Sequence, residues 1–162
     1  MSDEVLKLIP EDKDFLPSIE SAERARRFLE DCFPDGEQAE IELSETVQFI
    51  DSGENLERIK CPICSESTEI NPFQENDAGT NWWYALDESL SLSPDLNSLN
   101  IIMPCCGKQA LLQSVDFMGF AGFSKFELCI WNPYANSNTL NEQVSQVEDL
   151  LNCKLKIIWA KY

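Results

Sequence analysis

The sequence contains no histidine and few basic residues. Its 162 residues include 29 aspartates and glutamates but only 12 lysines and arginines, which gives a net charge of −17. Without histidine, the chain lacks the commonest general base and the commonest ligand of catalytic metals. A surface this acidic repels phosphate backbones, so we do not expect the protein to bind nucleic acid.

Long apolar segments are missing as well. No run of about 18 apolar residues occurs, so the sequence predicts no transmembrane helix and no membrane partner. The first ten residues, MSDEVLKLIP, are acidic and lack the apolar core of a secretion signal. We therefore expect a cytoplasmic protein, in a compartment where thiols stay reduced.

Familiar catalytic motifs are also absent. The chain has no glycine-rich phosphate loop, no serine nucleophile motif and no EF-hand loop. The carboxylate pairs Asp87–Glu88 and Glu148–Asp149 lie in predicted helices, where adjacent residues do not converge on one substrate. The sequence therefore identifies no catalytic residue and favours a role other than catalysis.

Hydrophobic periodicity predicts the order strand, helix, strand, cysteine-rich middle, strand, helix, strand. EVLKLIP alternates apolar and polar residues, and the segment after Ser18 has apolar residues at helical spacing. GFSKFELCIWNP and KLKIIWAKY predict strands. TLNEQVSQVEDLLN predicts a helix that begins with a capping box formed by Thr139 and Glu142.

This order predicts the α+β class. Two βαβ halves around an insertion suggest a ferredoxin-like βαβ…βαβ sheet with two helices on one face. In this interpretation residues 1–58 and 111–162 form a single α+β core domain. Residues 59–110, which contain two clustered pairs of cysteines, form an inserted zinc-ribbon-like module.

Four of the seven cysteines form two pairs, Cys61 and Cys64 in IKCPICSEST and Cys105 and Cys106 in IIMPCCGKQA. The Cys-x-x-Cys spacing suits a tight turn that points two thiolates at one metal ion. In a reducing compartment, two such pairs bind metal more often than they form disulfides. Since four thiolates satisfy tetrahedral Zn²⁺ without histidine, the sequence predicts a structural zinc site at these four cysteines.

The second pair departs from the usual pattern. Aligning CPIC with MPCC superimposes the prolines and places Met103 opposite Cys61. Methionine is a poor zinc ligand, so Cys105 has to supply the fourth thiolate from a neighbouring position. Gly107 helps this distorted turn because glycine tolerates positive φ.

The spacing of the pairs predicts an elaborated loop. The 40 residues between Cys64 and Cys105 exceed the usual spacing of about 15 to 20 in such sites. Within them, TNWWYALDESLSL predicts a short helix that carries Trp82 and Trp83. The module therefore contains more than the two metal-binding turns.

The sequence leaves alternatives to structural zinc open. Adjacent Cys105 and Cys106 could form a vicinal disulfide, which would make the protein a redox or thiol-dependent enzyme. A catalytic zinc would need an open coordination position, for example with only three cysteines bound. The other three cysteines, Cys32, Cys129 and Cys153, are predicted to be small buried hydrophobic residues.

Large aromatic residues in an acidic chain are typical of protein-binding surfaces. We take Trp82, Trp83, Trp159 and Tyr162 as candidate partner-binding residues, with core packing as the alternative. Residues 1–57 hold 17 acidic and 5 basic residues, so −12 of the net charge lies there. Such a surface attracts a partner with a basic surface at low salt.

Four segments resemble an uncharacterised family of small bacterial proteins with a CPxC…PCCG zinc-ribbon-like motif. They are VQFIDSGENLERIKCPIC, MPCCG, GFSKFELCIWNP and CKLKIIWAKY. Members of that family often end in His-Tyr, where this chain has Lys161–Tyr162. The resemblance implies the same organisation around two cysteine pairs and implies no established activity.

These observations predict a non-enzymatic, zinc-stabilised protein-binding module. A concrete form is a bacterial immunity protein that neutralises a basic toxin by covering its active site. The alternative is the redox or thiol-dependent enzyme that uses the vicinal cysteine pair.

Overall fold

The structure is a computed structural model that describes residues 2–71, 74, 77–92 and 95–162. Its elements in chain order are β1 (Glu4–Pro10), α1 (Ile19–Cys32), β2 (Glu40–Ile50), β3 (Arg58–Lys60), β4 (Ser67–Glu69), α2 (Ala78–Leu92), β5 (Asn100–Ile102), β6 (Gln109–Leu111), β7 (Gly122–Trp131), α3 (Ser137–Leu151) and β8 (Leu155–Lys161). This is a mixed α/β structure with an antiparallel sheet, as the coarse class predicted. None of the helices in the described ranges has the length and hydropathy needed to span a bilayer.

The main sheet has four strands in the order β2-β7-β1-β8, and every neighbouring pair is antiparallel. Strands β1 and β8 pair along seven residues, so the first and last strands are neighbours. Strand β7 alternates buried and half-buried residues because successive side chains point to opposite faces. Its Phe126, Leu128 and Ile130 are buried on one face.

Helices α1 and α3 pack on each other and on this sheet. The N-cap of α1 is Ser18, whose hydroxyl accepts a backbone N–H at 3.1 Å. The predicted capping box at Thr139 and Glu142 is wrong, because α3 begins earlier and Asn136 is its N-cap. The Asn136 side chain accepts the N–H of Asn138 at 2.9 Å and thereby satisfies one of the free amides of the first turn.

The described residues form two large hydrophobic cores, beside a small cluster of Ile9, Ile50 and Ile158. The first lies between α1, α3 and one sheet face and includes Leu6, Leu8, Ala25, Leu29, Phe126, Leu128, Ile130, Val144 and Val147. The second consists mainly of residues that lie between β2 and β7 in the sequence. It includes Leu56, Ile59, Cys61, Ile70, Trp82, Leu86, Ile101, Met103, Leu112, Val115 and Phe117. We call residues 51–121 the inserted segment, since they connect these strands and carry the second core.

A buried lysine connects the sheet to the inserted segment. Lys7 in β1 is 7% exposed, and its ammonium donates to the backbone carbonyl of Asp51 at 2.9 Å and to the Tyr162 hydroxyl at 2.8 Å. Burial by itself lowers the pKa of Lys7, but the hydrogen bond with Tyr162 and the charges of Asp51 and Glu127 outweigh it and raise the pKa. Lys7 therefore remains charged inside the fold.

Glu127 depends on this lysine. Its carboxylate lies 3.9 Å from the Lys7 ammonium, and its side chain is 14% exposed. Burial raises the pKa of Glu127, the charge of Lys7 lowers it, and the nearby Glu42, Asp51 and Glu40 raise it further. Lys7 is therefore the cation that favours the ionised form of this half-enclosed carboxyl group.

Replacing Lys7 by methionine should lower the free energy of unfolding by about 1–3 kcal/mol, because two oxygen atoms of Asp51 and the Tyr162 hydroxyl lose a charged donor. The loss should be larger at about pH 8 than at about pH 5, since removal of Lys7 raises the folded-state pKa of Glu127 further. A carboxyl group whose pKa is raised in the folded state lowers the free energy of unfolding at high pH. This loss develops as the pH rises from about 4.3, the ordinary pKa, through the folded-state pKa. Urea unfolding at both pH values measures the difference.

The control is Lys156→Met, which removes an exposed lysine from strand β8 of the same sheet. It should change the free energy of unfolding by no more than about 0.5 kcal/mol. A loss for Lys7→Met that is the same at both pH values would show that Glu127 does not depend on this lysine.

Candidate metal centre

The two cysteine pairs lie at the tips of two matching β-hairpins. The first hairpin pairs β3 with β4 and encloses residues 61–66, and the second pairs β5 with β6 and encloses residues 103–108. Arg58 lies opposite Glu69 and Asn100 lies opposite Leu111, so each paired position recurs 42 residues later. The inserted segment therefore contains the same supersecondary unit twice.

The two loops also share their backbone hydrogen bonds. The N–H of Cys61 donates to the carbonyl of Glu66 at 2.9 Å, and the N–H of Met103 donates to the carbonyl of Lys108 at 2.9 Å. These bonds make Met103 the counterpart of Cys61. The alignment of CPIC with MPCC is confirmed by this pattern.

Each loop turns through a residue with positive φ at the equivalent position. Ser65 has φ 64° in the first loop, and Gly107 has φ 69° in the second. Their N–H groups donate to the carbonyls of Cys61 and Met103, at 3.1 and 3.0 Å. Glycine adopts this conformation without strain, as expected for Gly107, whereas serine is an uncommon residue there.

The loops bring the four thiols of Cys61, Cys64, Cys105 and Cys106 together. The sulfur atoms of Cys61 and Cys106 are 3.9 Å apart, and those of Cys64 and Cys105 are 3.3 Å apart. All four lie within 4.8 Å of one another. In a tetrahedral thiolate site with metal–sulfur bonds of about 2.3 Å, the sulfurs are about 3.8 Å apart. The thiols are therefore close enough to bind one metal ion.

The irregular second pair has a structural explanation. Met103 is 1% exposed and belongs to the second core, where the equivalent Cys61 is also buried. Cys105 corresponds to Ile63 of the first loop, and both side chains are exposed. The second loop thus fills the first ligand position with an apolar side chain and supplies its thiol two residues later.

The thiols differ in acidity. Burial raises the pKa of Cys61, but the N–H groups of Cys64 and Ile63 and the neighbouring thiols outweigh it and lower the pKa to about 7. Burial and hydrogen bonds to the thiols of Cys64 and Cys61 raise the pKa of Cys105 to about 12. Since metal ligation requires thiolates, binding releases these protons and becomes tighter as the pH rises.

Two contacts fix the first hairpin within the inserted segment. A β-bridge joins Lys60 to Asp116, with N–H to carbonyl distances of 2.8 and 3.2 Å. Helix α2 begins directly against the end of β4, since a Cβ atom at Gly79 would lie 1.9 Å from the carbonyl oxygen of Glu69. This approach requires glycine and positions Trp82 in the second core.

The candidate partner-binding aromatics do not share one surface. Trp82 is 5% exposed and packs in the second core, so we remove it from the candidates. Trp83 is half-buried and Tyr162 is 42% exposed, and both line one cavity. Trp159 is half-buried and lines a different cavity.

Two features were missed in the sequence. Tyr84 is 60% exposed and lines the same cavity as Trp83 and Tyr162. A helical projection would have shown it, because Tyr84 falls on the face opposite Trp82 and Leu86. The hairpin repeat is signalled by the short segments IKCPIC and IIMPCC, which share isoleucine, proline and cysteine at their first, fourth and sixth positions.

The chain matches no protein-family model, no curated protein and no solved structure. The organisation implied by the resembling bacterial family therefore stays a prediction.

The equivalence of the two loops predicts a rescue. Cys105→Ser should weaken Co²⁺ binding at least about tenfold, because it removes one of four thiolates. Adding Met103→Cys should restore binding, because this places a thiol at the position equivalent to Cys61. Titration with Co²⁺, followed by its thiolate charge-transfer absorption, measures the affinity of each variant.

The matched control is Met103→Ala combined with Cys105→Ser. It loses the volume of the buried methionine, which costs about 2–5 kcal/mol of stability, without supplying sulfur. If the Met103→Cys and Met103→Ala double variants bind Co²⁺ equally weakly, a thiol at position 103 does not reach the metal. The two loops would then share a backbone conformation but not a ligand position.

Proposed function

We propose that the protein is a non-enzymatic binding module stabilised by one structural Zn²⁺ ion at Cys61, Cys64, Cys105 and Cys106. The convergence of four thiols within 4.8 Å, in a chain without histidine, carries this proposal. Four thiolates complete the tetrahedral coordination of Zn²⁺ and leave no position for a reactive water. A closed site of this kind supports folding rather than hydrolysis.

The hairpins give the metal a structural role. Each has only three paired residues in each strand, and a hairpin this short is marginally stable by itself. One ion bound to both tips cross-links the two hairpins, which are separated in the sequence by the segment that contains α2. The zinc then stabilises the second core, to which the buried Cys61 and the half-buried Cys106 also contribute.

We extend the proposal to a ferredoxin-like core that carries a zinc-ribbon-like insertion. The strand order β2-β7-β1-β8, with helices after β1 and β7, supports the first part. The two hairpins with cysteine loops at their tips support the second part. Reduced thiols would suit a cytoplasmic location.

The proposed partner is a protein with a basic surface. The net charge of −17 supports this partner, because opposite charge speeds encounter and disfavours acidic competitors. An immunity protein that covers the active site of a basic toxin has this character. Such an inhibitor needs a stable acidic surface and no catalytic group of its own.

One observation favours a second candidate, a thiol redox protein. Cys64 and Cys105 are exposed, and their sulfur atoms are 3.3 Å apart. In this reaction both thiols give up a proton and together two electrons to a disulfide of another molecule. A Cys64–Cys105 bond forms, and the other disulfide is reduced to two thiols. Bound zinc would block this reaction.

The native protein should contain one zinc ion per chain by elemental analysis, and its four site thiols should resist alkylation until a chelator removes the metal. Cys32, Cys129 and Cys153 should react slowly in both states. None of these three is exposed, whereas Cys64 and Cys105 are, and burial raises the pKa of each of the three. Mass spectrometry of the alkylated peptides distinguishes the two groups.

The same measurement decides between the candidates. A native protein without metal, in which mild oxidation joins Cys64 to Cys105, would support the redox candidate and contradict structural zinc. Rapid alkylation of Cys64 in a preparation that retains its full zinc content would contradict four-thiolate ligation.

Affinity capture from the source cells should isolate a basic protein, and the captured amount should fall between about 50 mM and about 500 mM salt, as charge screening increases. A mock capture with an unrelated protein of similar net charge provides the control. An acidic partner, or a basic partner whose binding is insensitive to salt, would contradict the proposed electrostatic recognition.

A further inference from the structure

A cavity of about 320 Å³ lies where the inserted segment meets strand β8. Its walls include three aromatic rings, two aliphatic side chains and one carboxylate, contributed by Trp83, Tyr84, Tyr162, Leu56, Ile70 and Glu54. The rings come from helix α2 and from the residue after β8, which are far apart in the sequence. The fold therefore assembles an aromatic cavity that no short motif encodes.

Tyr162 is held in place although 42% of it is exposed. Its hydroxyl accepts from Lys7 and donates to the Asp51 carboxylate, both at 2.8 Å, and its ring stacks on Trp131 with a centroid distance of 5.6 Å. A Cβ atom at Gly53 would lie 2.9 Å from this ring, so glycine is needed for the close packing. A ring fixed before binding loses little conformational entropy when a partner contacts it.

The α2 side of the cavity combines a fixed ring with an exposed ring. Trp83 is half-buried against Phe49, with a centroid distance of 6.3 Å, whereas Tyr84 is 60% exposed. Aromatic faces attract cations, and the flat guanidinium of arginine also stacks on them. Arginine, tyrosine and tryptophan are the residues that dominate binding energy at protein interfaces.

The surroundings of the cavity are acidic. Gly53, Glu54 and Leu56 line one side. They belong to the segment DSGENLE, residues 51–57, which contains three carboxylates and no basic residue. Asp87 and Glu88 are exposed on α2, three and four residues after Tyr84, which places them on the same helix face. Lys161 also lines the cavity. The Lys161 ammonium repels the compact ammonium of a lysine in the cavity more than the guanidinium of an arginine, whose charge is delocalised and which can stack on the rings.

We propose that this cavity receives an arginine side chain of the basic protein partner. The guanidinium stacks on the tyrosine rings and pairs with the Glu54 carboxylate, while its aliphatic stem contacts Leu56 and Ile70. This inference rests on the proposed function, because it assigns the contact point of the proposed partner. It also explains why rings of two separate elements are exposed at one place.

A blocked tripeptide, acetyl-Gly-Arg-Gly-amide, provides the probe. Added to ¹⁵N-labelled protein, it should shift the indole N–H signal of Trp83 in NMR spectra. The citrulline peptide has the same shape without the charge, and it should bind at least about fivefold more weakly. Glu54→Gln and Tyr84→Ala should each weaken the arginine peptide about fivefold. Tyr134→Ala, which removes a tyrosine that is 78% exposed and not part of this cavity, should leave binding unchanged.

Three outcomes would overturn the inference. They are no shift of Trp83 with the arginine peptide, equal affinity for the citrulline peptide, and equal affinity for a lysine or leucine peptide. Failure of the proposed function is a separate result, since Glu54 and Tyr84 are not metal ligands. A captured basic partner that binds Glu54→Gln as well as wild type overturns the cavity inference alone. A metal-free native protein or an acidic partner overturns the proposed function.

Discussion

The close approach of four thiols, all within 4.8 Å of one another, is the constraint on which the inserted segment depends. Each hairpin that carries two of them has three residue pairs, too few to hold its own shape in water. A metal ion bound at both tips would join these two marginal units into one and give the second core fixed walls. The helix between the hairpins packs on this frame through Trp82 and Leu86.

A second connection ties this frame to the sheet. Lys7 reaches from β1 to Asp51 and Tyr162, which lie 44 and 155 residues away in the chain. The same contact orients the Tyr162 ring, and that ring forms one wall of the aromatic cavity. A buried cation therefore does more than join two parts of the fold, because it also determines how an exposed aromatic surface is presented.

Most elements could be predicted because their signals are local. The alternation in β7, the helical spacing in α1 and its cap at Ser18 depend on neighbouring residues only. Asn136 and Thr139 are both capable caps, and the local pattern of residues does not decide between them. The partners of Lys7 could not be predicted, since nothing in EVLKLIP indicates which distant oxygen atoms will surround a lysine between apolar residues. The thiol cluster was predictable because its spacing is itself a local pattern.

The repeated hairpin shows that the backbone of a metal-binding loop and the location of its donor atoms are separable properties. Both loops have the same turn, yet one carries its first sulfur where the other carries a core methionine. Thiols from two different positions of the same turn, Cys61 in one loop and Cys105 in the other, therefore lie within 4.8 Å of each other. Donor atoms can migrate along such a loop while its peptide geometry stays constant, which makes the position of a cysteine in a sequence a looser guide to coordination than the course of the chain around it.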